Sequence, residues 1–239
     1  MVKASNAGPF TLDGTRTFLV GRERVAVIDP GPDAEEHVRA LSRALDGATE
    51  VRILLTHGHP DHSGGAERLA RVLSAGVPVS TALPSSLAEG DELTTDEGTL
   101  VVVDTPGHTR DHLAFHWLEA RALFVGDLLL GKGNTTWVGE YPGCVAEYLA
   151  SLRKIGSLVP EVLYPSHGPP VTSPAKTLST FESHRLRRID QVRKAVAQHP
   201  RVGLDRLVEL VYGDSVPPRM AKAALASVEM ILHYLRDER

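Results

Sequence analysis

The chain has 239 residues, of which 42% are hydrophobic and 23% are charged. This composition is close to the average of globular proteins and excludes fibrous, collagen-like and largely disordered chains. A chain of this length buries a sizeable core without cross-links, and its single cysteine, Cys144, excludes an internal disulfide framework and a multi-cysteine zinc site. No stretch approaches the roughly 18 apolar residues of a membrane span, and the first residues lack an apolar leader, so we expect a cytoplasmic protein that does not bind membranes.

The net charge of -4 is distributed unevenly along the chain. Residues 1–169 contain 14 Lys and Arg against 22 Asp and Glu, a balance of -8, whereas residues 170–239 contain 12 against 8, a balance of +4. This difference indicates two modules with different surfaces. A basic balance of this size is more often a solvated helical face than a nucleic-acid interface.

The first part of the chain alternates between strand-like and helix-like segments. Apolar runs of strand length, each bounded by turn residues, occur at 17–20, 25–28, 51–55, 100–103, 122–125 and 162–164. Apolar residues with helical spacing lie between them at 34–45, 65–73 and 144–155. Interleaved strands and helices predict an α/β protein in which sheets are layered against helices.

The pattern changes after the last of these strands. Glycine and proline residues at 168–170 and 174 interrupt regular structure, and the following sequence predicts helices over about 175–198, 204–211 and 218–236. We therefore predict a larger α/β domain over residues 1–172 and a helical C-terminal domain over residues 173–239.

The densest group of metal-ligating side chains lies directly after the run at 51–55. Within six positions the chain places His57, His59, Asp61 and His62. Neutral imidazole and carboxylate are ligands for zinc, iron and manganese, whereas three clustered histidines have little use in an apolar core. On a turn rather than a helix, the first two histidines are expected to point one way and the other pair another, which would serve two metal ions.

Three further donors each follow an apolar run and stand beside a glycine: His108, Asp127 and His167. Any one of them alone is more often an ordinary surface or core residue. Together with the first group they give seven donors in the order His, His, Asp, His, His, Asp, His. That set suffices for two metals with three terminal ligands each and one shared carboxylate, which leaves room for a bridging hydroxide.

With these donors the sequence resembles the metallo-β-lactamase superfamily, whose signature His-x-His-x-Asp-His is matched by residues 57–62. The resemblance extends over about residues 15–170. It implies an αββα sandwich with the metals at one edge of the sheets. It also implies a ligand assignment: His57, His59 and His108 for the first metal, Asp61, His62 and His167 for the second, and Asp127 as the bridge.

Within that superfamily, Asp61 and Asp127 resemble the pattern of the glyoxalase II and nuclease branches. The complete donor set then implies a dinuclear hydrolytic centre with two zinc ions, iron and manganese being the alternatives. The runs at 105–112, 126–131 and 164–169 resemble a group of β-lactamase-like proteins that includes an endoribonuclease. Residues 205–235 are similar to the small winged-helix-like appendage of that group, although the chain stops at Arg239 before a β wing.

The sequence leaves three functions open. The branch resemblance and the +4 tail favour an attack by a metal-bridging hydroxide on a phosphodiester of single-stranded RNA, in which Asp61 orients the nucleophile or accepts its proton. The -8 balance of the first part opposes a polyanionic substrate and suits the alternative, a hydrolase of small esters or thioesters similar to glyoxalase II. The third alternative is a non-catalytic metal-binding protein. The oligomeric state is left open, a homodimer being one alternative.

Several other polar residues are predicted in supporting positions. Cys144 has no neighbouring base and is predicted to be a buried apolar side chain. Asp29 is either an acceptor that orients an imidazole or a turn cap. His112 is predicted to be a hydrogen-bonding partner of the site, and His116 a strand residue. A solvated helix face is predicted for Arg185, Arg187, Arg188, Arg193 and Lys194.

Overall fold

Two five-stranded sheets form the centre of the protein in a computed structural model that describes residues 1–213 and 216–238. In the first sheet β1 (Val2–Lys3) and β2 (Arg16–Val20) are antiparallel, as are β2 and β3 (Arg24–Ile28), whereas β3, β4 (Glu50–Leu54) and β5 (Val79–Ala82) are parallel. Parallel neighbours require crossover connections, and helices supply them here. The five strands lie side by side in the same order in which they follow one another along the chain.

The second sheet is an antiparallel meander with one parallel strand added at its edge. The chain leaves the meander after its fourth strand and returns through a helix before it pairs with that strand in parallel. The strands are β6 (Glu92–Thr95), β7 (Gly98–Asp104), β8 (Leu113–Trp117), β9 (Ala122–Gly126) and β10 (Val162–Pro165).

Helices cover both outer faces of the sheets. They are α1 (Glu35–Ala44), α2 (Pro60–Ser63), α3 (Ala66–Leu73), α4 (Cys144–Ser157), α5 (Pro174–Gln198), α6 (Leu204–Tyr212) and α7 (Ala221–Asp237). Within the described ranges, none of these helices has the length and apolar character needed to cross a membrane.

The inner faces of the two sheets pack against each other. Alternation along β3 turns Ala26 and Ile28 inward, whereas Val27 packs on the opposite face. Phe18 on β2 meets Phe124 on β9, with ring centroids 5.0 Å apart. Leu54 and Phe115 complete this inner layer and are fully buried. The sandwich core is therefore built from one alternate set of residues on each strand.

The opposite faces of the sheets bury their other alternate residues under helices. Val27 and Ile53 of the first sheet share a cluster with Leu41 of α1 and Leu69 of α3. On the second sheet Leu123 packs in a cluster that includes much of α4. Two sheets between two helical layers form the αββα sandwich that the resemblance implied, and this prediction is confirmed.

The three helices predicted for the C-terminal part are present as α5, α6 and α7, and the described residues after Ser173 include no strand. Phe181, Val192 and Ile231 join the same hydrophobic cluster as α4, so these helices extend the layer outside the second sheet. The division into residues 1–172 and 173–239 stays a prediction. Residues 214, 215 and 239 of the predicted second unit lie outside the described residues.

The predicted set of strands lacked four that the structure contains: β1, β5, β6 and β8. Within β8, His116 alone was predicted to be a strand residue. The strands β1, β5 and β6 have two to four residues each and lie at sheet edges. Edge strands bury few side chains, so they carry little apolar signal. In β6, only Leu93 and Thr95 are buried.

Gly107, in the turn between β7 and β8, occupies a position that a larger residue cannot take. Its φ is +133°, and a Cβ there would lie 2.5 Å from Tyr148 Cα on α4. We expect Gly107→Ala to lower the free energy of unfolding by about 3 kcal/mol, because backbone strain and overlap with main-chain atoms add. Urea unfolding measures this against Gly47→Ala, since Gly47 has φ +87° with no neighbour within 4 Å. Equal losses in both variants would contradict the packing argument.

Candidate metal centre

The loop after β4 carries four of the seven predicted donors. Pro60 begins the short helix α2, since its fixed φ suits the first position of a helix. His57 and His59 lie before this helix, whereas Asp61 and His62 lie on it. The prediction of a turn rather than a helix is therefore wrong for Asp61 and His62, which are helical. His57 and His59 form one group of donors with His108, and Asp61 and His62 form another with His167. A third group joins His57 and His62 to Asp127.

The other three donors come from the second sheet. His108 lies in the connection between β7 and β8, Asp127 directly follows β9, and His167 follows β10. Because β9 and β10 are parallel neighbours, their carboxyl ends bring Asp127 and His167 to the same edge. Side chains from both sheets thus meet at one edge of the sandwich.

The first donor group consists of three ring nitrogens. Nε2 of His57 lies 3.0 Å from Nδ1 of His59, and Nε2 of His108 lies 3.1 Å from the same atom. All three nitrogens lie within 4.8 Å of one another. Tetrahedral nitrogen ligands of one zinc ion are roughly 3.3 Å apart, as follows from Zn–N bonds of about 2.0–2.1 Å. The observed spacing therefore suits a single ion.

The second donor group contains one carboxylate and two imidazoles. Oδ2 of Asp61 lies 3.6 Å from Nε2 of His62 and 3.2 Å from Nε2 of His167. These donor atoms also lie within 4.8 Å of one another. His62 and His167 are fully buried, whereas the side chain of Asp61 is 28% exposed and faces the cavity described below.

Asp127 stands between the two groups. Its Oδ2 lies 3.7 Å from Nε2 of His108 in the first group. Its Oδ1 lies 3.6 Å from Nε2 of His62 and 3.3 Å from Nε2 of His167 in the second group. One carboxylate therefore presents one oxygen to each group, which is the arrangement expected of a bridging ligand.

Three buried atoms at this junction have no hydrogen-bond partner: Nε2 of His62, Nε2 of His167 and Oδ1 of Asp127. Buried polar atoms are nearly always satisfied, and each exception calls for an explanation. Imidazole nitrogen and carboxylate oxygen are ligands of divalent zinc, iron and manganese. The unsatisfied atoms face one another across ligand-like distances, so the donor set fits divalent cations.

Asp29 holds His62 of the second donor group through a hydrogen bond to the ring nitrogen that is not in the group. Its Oδ2 accepts hydrogen bonds from Nδ1 of His62 at 2.8 Å, from Thr56 Oγ1 at 2.7 Å and from Ser166 Oγ at 3.0 Å, and its Oδ1 accepts one from the Thr56 amide at 2.8 Å. The carboxylate is fully buried. Of the two roles left open for Asp29, the geometry therefore favours the acceptor that orients an imidazole.

Similar partners set the proton positions of the first group. A carbonyl can only accept, so Nδ1 of His108 donates to the Trp137 oxygen at 2.9 Å. The Thr56 hydroxyl already donates to Asp29, so it accepts from Nδ1 of His57 at 3.0 Å. In both rings Nε2 is thereby left with a free lone pair that points at the donor group.

His112 supports the bridging position, as predicted. Its Nε2 accepts the backbone N–H of Asp127 at 3.2 Å, and its Nδ1 lies 2.8 Å from Thr105 Oγ1. Burial lowers the pKa of His112 to about 3, and His108 adds to that effect. The ring is therefore neutral and can accept the amide hydrogen.

The pKa values of the ring nitrogens differ between the two groups. Burial, together with His62, lowers the pKa of His57 well below its usual value. Burial lowers the pKa of His108 to about 4, even though Asp127 opposes it. These rings are neutral at neutral pH, which is the form that binds metal.

The second group lies in a more negative environment. Burial alone would lower the pKa of His62 and His167, but the neighbouring carboxylates together outweigh it. Asp127 and Asp29 raise the pKa of His62, and Asp127 and Asp61 raise that of His167 to about 9. Burial alone would raise the pKa of Asp127, and the two imidazoles instead hold it well below its usual value. The local field therefore favours positive charge at this position, as a cation site requires.

A cavity of about 660 Å³ opens onto the donors. His59, Asp61, His108 and Asp127 lie in its wall, and the rest of the wall is largely apolar. Trp137 contributes to that wall, with its rings 6.3 Å from His59 and 5.9 Å from His108 between centroids. Helices α5 and α7 close the far side, so the C-terminal part shapes the cavity.

Two predictions about side chains outside the donor set have different outcomes. Cys144 is buried, as predicted. The prediction of a solvated helix face is confirmed at Arg187, which is exposed. It is wrong at Arg185, which is 3% exposed and lines the cavity. A periodic signal was available, because Arg185 continues the spacing of the buried helix positions Leu178, Phe181, Ile189 and Val192. Thr56 and Ser166 had no such signal.

The family model of the metallo-beta-lactamase superfamily matches residues 11–83 and 78–167 of the chain. The protein belongs to this superfamily. Membership confirms the prediction of a metal-dependent hydrolase with a divalent metal site, which agrees with the donor geometry.

Individual proteins extend the match over nearly the whole chain. The chain is 31% identical to the Beta-lactamase-like protein 2 homolog of Caenorhabditis elegans over 96% of this chain and 81% of that protein. It is 36% identical to Thioesterase pkgB of Emericella nidulans over 81% of this chain and 57% of that protein. A solved metallo-beta-lactamase family protein from Thermus thermophilus has the same fold, with a TM-score of 0.76, 23% identity and coverage of 99% of this chain and 92% of that one. The assignment to a branch of the superfamily stays a prediction.

Proposed function

We propose that the protein hydrolyses thioesters or small esters with two divalent ions held by the seven side chains. The observation that carries the proposal is the largely apolar cavity of about 660 Å³ that ends at the donor groups. A cavity of this size lies within the range that encloses small molecules, about 300–1,000 Å³. The similarity to a protein named as a thioesterase supports the same substrate class.

In this proposal each donor keeps the position predicted from the sequence. His57, His59 and His108 would hold one ion, and Asp61, His62 and His167 the other. Asp127 would contact both, because its two oxygens face the two groups. Zinc is the metal we propose, with iron or manganese as alternatives for the same nitrogen and oxygen donors.

Divalent ions in such a site supply a water of lowered pKa and a positive charge that stabilises a developing oxyanion. The chain's own contribution is to orient and to accept protons. Asp61 is the one carboxylate of the second group that is partly exposed to the cavity. Burial raises its pKa, but the His167 and His62 imidazoles together outweigh this and lower it, so Asp61 is ionised at neutral pH. We assign it the role of orienting the attacking water and accepting its proton.

The apolar wall supplies binding energy away from the reacting atoms. Leu130, Trp137 and Met220 line the cavity and offer contact area to an acyl chain. A substrate that fills this apolar cavity would displace water from around the scissile bond, which would strengthen the electrostatic interactions there. Asp29 and His112 hold the donors rigidly from behind, which keeps the reacting geometry fixed.

Cleavage of single-stranded RNA stays a prediction and is the less favoured alternative. A polyanion needs an extended positive surface, and the region up to residue 169 carries a balance of -8. On α5, Arg193 pairs with Glu238 and Lys194 pairs with Asp190, so these cations are partly neutralised. The helix therefore offers less positive charge than its sequence implied.

A direct competition tests the proposed substrate class. The protein, loaded in turn with zinc, iron or manganese, is given an acyl thioester of N-acetylcysteamine and a single-stranded oligoribonucleotide at equal concentration. We expect thioester hydrolysis without RNA cleavage. Asp61→Asn should lower kcat/KM for the thioester at least about 100-fold, because it removes the proton acceptor.

Asp46→Asn is the matched control, since Asp46 is an exposed carboxylate outside the cavity. It should retain the wild-type rate. Cleavage of the oligonucleotide without hydrolysis of the thioester would contradict the proposal and support the RNA alternative.

A further inference from the structure

A buried arginine lies in the wall of the cavity. Arg185 on α5 is 3% exposed. Its Nη2 donates to the carbonyl of Thr136 at 3.0 Å, and its guanidinium carbon lies 5.3 Å from the centroid of the Tyr148 ring. Its Nε has no hydrogen-bond partner. The guanidinium is thus removed from water without being fully satisfied.

Within residues 1–213 and 216–238, Arg185 forms no ion pair with a carboxylate. The groups that influence its charge are Tyr148, Tyr212, Cys144 and Arg188, and burial lowers the pKa of the guanidinium. Burying a cation is costly unless an anion accompanies it. Arginine also remains protonated in proteins, so the charge persists. An anion at this position would therefore be bound strongly.

A second guanidinium lies in the same wall. Arg188 is stacked 3.9 Å from the centroid of the Tyr212 ring, donates to the Val211 carbonyl at 2.9 Å and lines the cavity. The cavity thus has metal donors in one part of its wall, arginines in another and apolar side chains around them. A molecule that fills it would meet both polar regions.

We infer that Arg185 binds an anionic group of the substrate and makes the enzyme select thioesters that carry a carboxylate or phosphate away from the scissile bond. The inference rests on the proposed function. Both anions accept the paired N–H groups of a guanidinium, and such charge-assisted bonds are among the strongest hydrogen bonds in proteins. The anion lies either on the acyl chain or on the thiol part.

Arg185 also contacts the segment that holds two of the metal-ligating side chains in place. A purely structural role is therefore the alternative interpretation. Thr136, whose carbonyl it binds, donates through Oγ1 to the carbonyl of Asp127 at 2.9 Å, and the next residue, Trp137, accepts from His108. A residue that only held this segment would affect all substrates alike. A residue that binds the substrate's anion affects only the charged ones.

Two pairs of thioesters separate these interpretations and locate the anion. The first pair compares glutaryl with pentanoyl N-acetylcysteamine, which differ by a carboxylate on the acyl chain. The second compares the pentanoyl thioesters of phosphopantetheine and pantetheine, which differ by a phosphate on the thiol part. We expect the wild-type kcat/KM to favour the charged member of one pair about 10- to 100-fold.

Arg185→Met should reduce that preference at least about tenfold, as expected for loss of a charge-assisted hydrogen bond. Arg187→Met is the matched control, because Arg187 lies on the same helix and is exposed. It should keep the wild-type preference. Thermal unfolding establishes that each variant is folded. Absence of any preference in the wild type, or a preference that Arg185→Met leaves unchanged, would overturn the inference.

Binding of uncleavable analogues tests the inference separately from hydrolysis. Amides in place of the same thioesters are titrated calorimetrically into the wild-type protein and both variants. We expect the charged amide to bind about tenfold more tightly than the neutral one, and only in the proteins that retain Arg185. If no thioester is hydrolysed, the proposed function fails, while this binding difference still decides whether Arg185 recognises an anion. Equal binding of the two amides would overturn the inference.

Discussion

Replacing His59 by alanine is expected to lower kcat/KM for a thioester by about 10³-fold, a loss typical of removing a group at the centre of a catalytic site. His59 Nδ1 is the atom shared by the two shortest contacts of the first donor group, 3.0 Å to His57 and 3.1 Å to His108. Without it the first ion would keep only two imidazoles and the shared Asp127 oxygen, so it would lose one of its three nitrogen ligands. Steady-state kinetics with metal-loaded protein measures the loss.

His116→Ala provides the matched control for that experiment. His116 is a half-buried histidine on β8 outside the donor groups, so the substitution removes an imidazole without removing a donor. It should retain wild-type kinetics. Full activity of His59→Ala with both metals retained would show that the first donor group does not act as proposed.

Asp29→Ala is expected to lower the free energy of unfolding by about 3–5 kcal/mol, the usual cost of removing one partner from a buried charged network. Asp29 accepts four hydrogen bonds, which come from His62, Ser166 and both the amide and the hydroxyl of Thr56. Truncation would leave these donors buried and unpaired. Urea unfolding with metal removed by a chelator measures the intrinsic loss without a contribution from metal binding.

Asp29→Asn separates the effect of losing the carboxylate from the effect of the backbone conformation at this position. Asp29 has φ +51°, a conformation that asparagine tolerates better than alanine. We expect Asp29→Asn to lower the free energy of unfolding less than Asp29→Ala does, because the amide oxygen still accepts hydrogen bonds. Some loss remains, because the amide nitrogen places a donor where the carboxylate had an acceptor. A loss below about 1 kcal/mol in Asp29→Ala would be far smaller than the cost of breaking a buried charged network and would contradict the proposed network.

The convergence of the seven side chains at one edge of the sandwich was predictable from the sequence, whereas their role as metal ligands stays a prediction. Each donor follows a strand or its loop, and strands that lie side by side bring their ends together. Asp127 and His167 illustrate this, since the parallel pairing of β9 and β10 fixes their common edge. Most of the inner strands were also predictable, because their side chains alternate between two buried layers. The central strand β8 is the exception, since only His116 in it was predicted in a strand.

The cavity was not predictable, because it depends on packing between distant elements. Whether Arg185 faces solvent or the cavity is decided by the contact of α5 with the segment at Thr136 and with Tyr148. Sequence shows the charge of an arginine, whereas burial depends on what packs over it. The short edge strands were not predicted for a related reason. Strands such as β5 bury too few side chains to give the sequence an apolar pattern.

The number of metal ions bound per chain shows whether the seven side chains form a dinuclear site. Inductively coupled plasma mass spectrometry, after loading with zinc, iron or manganese and removal of free metal, should give two ions per wild-type chain. Asp127→Ala should retain fewer than two, because its oxygens face both donor groups. A wild-type content of one ion or less with every metal would contradict the claim that these side chains form a dinuclear site.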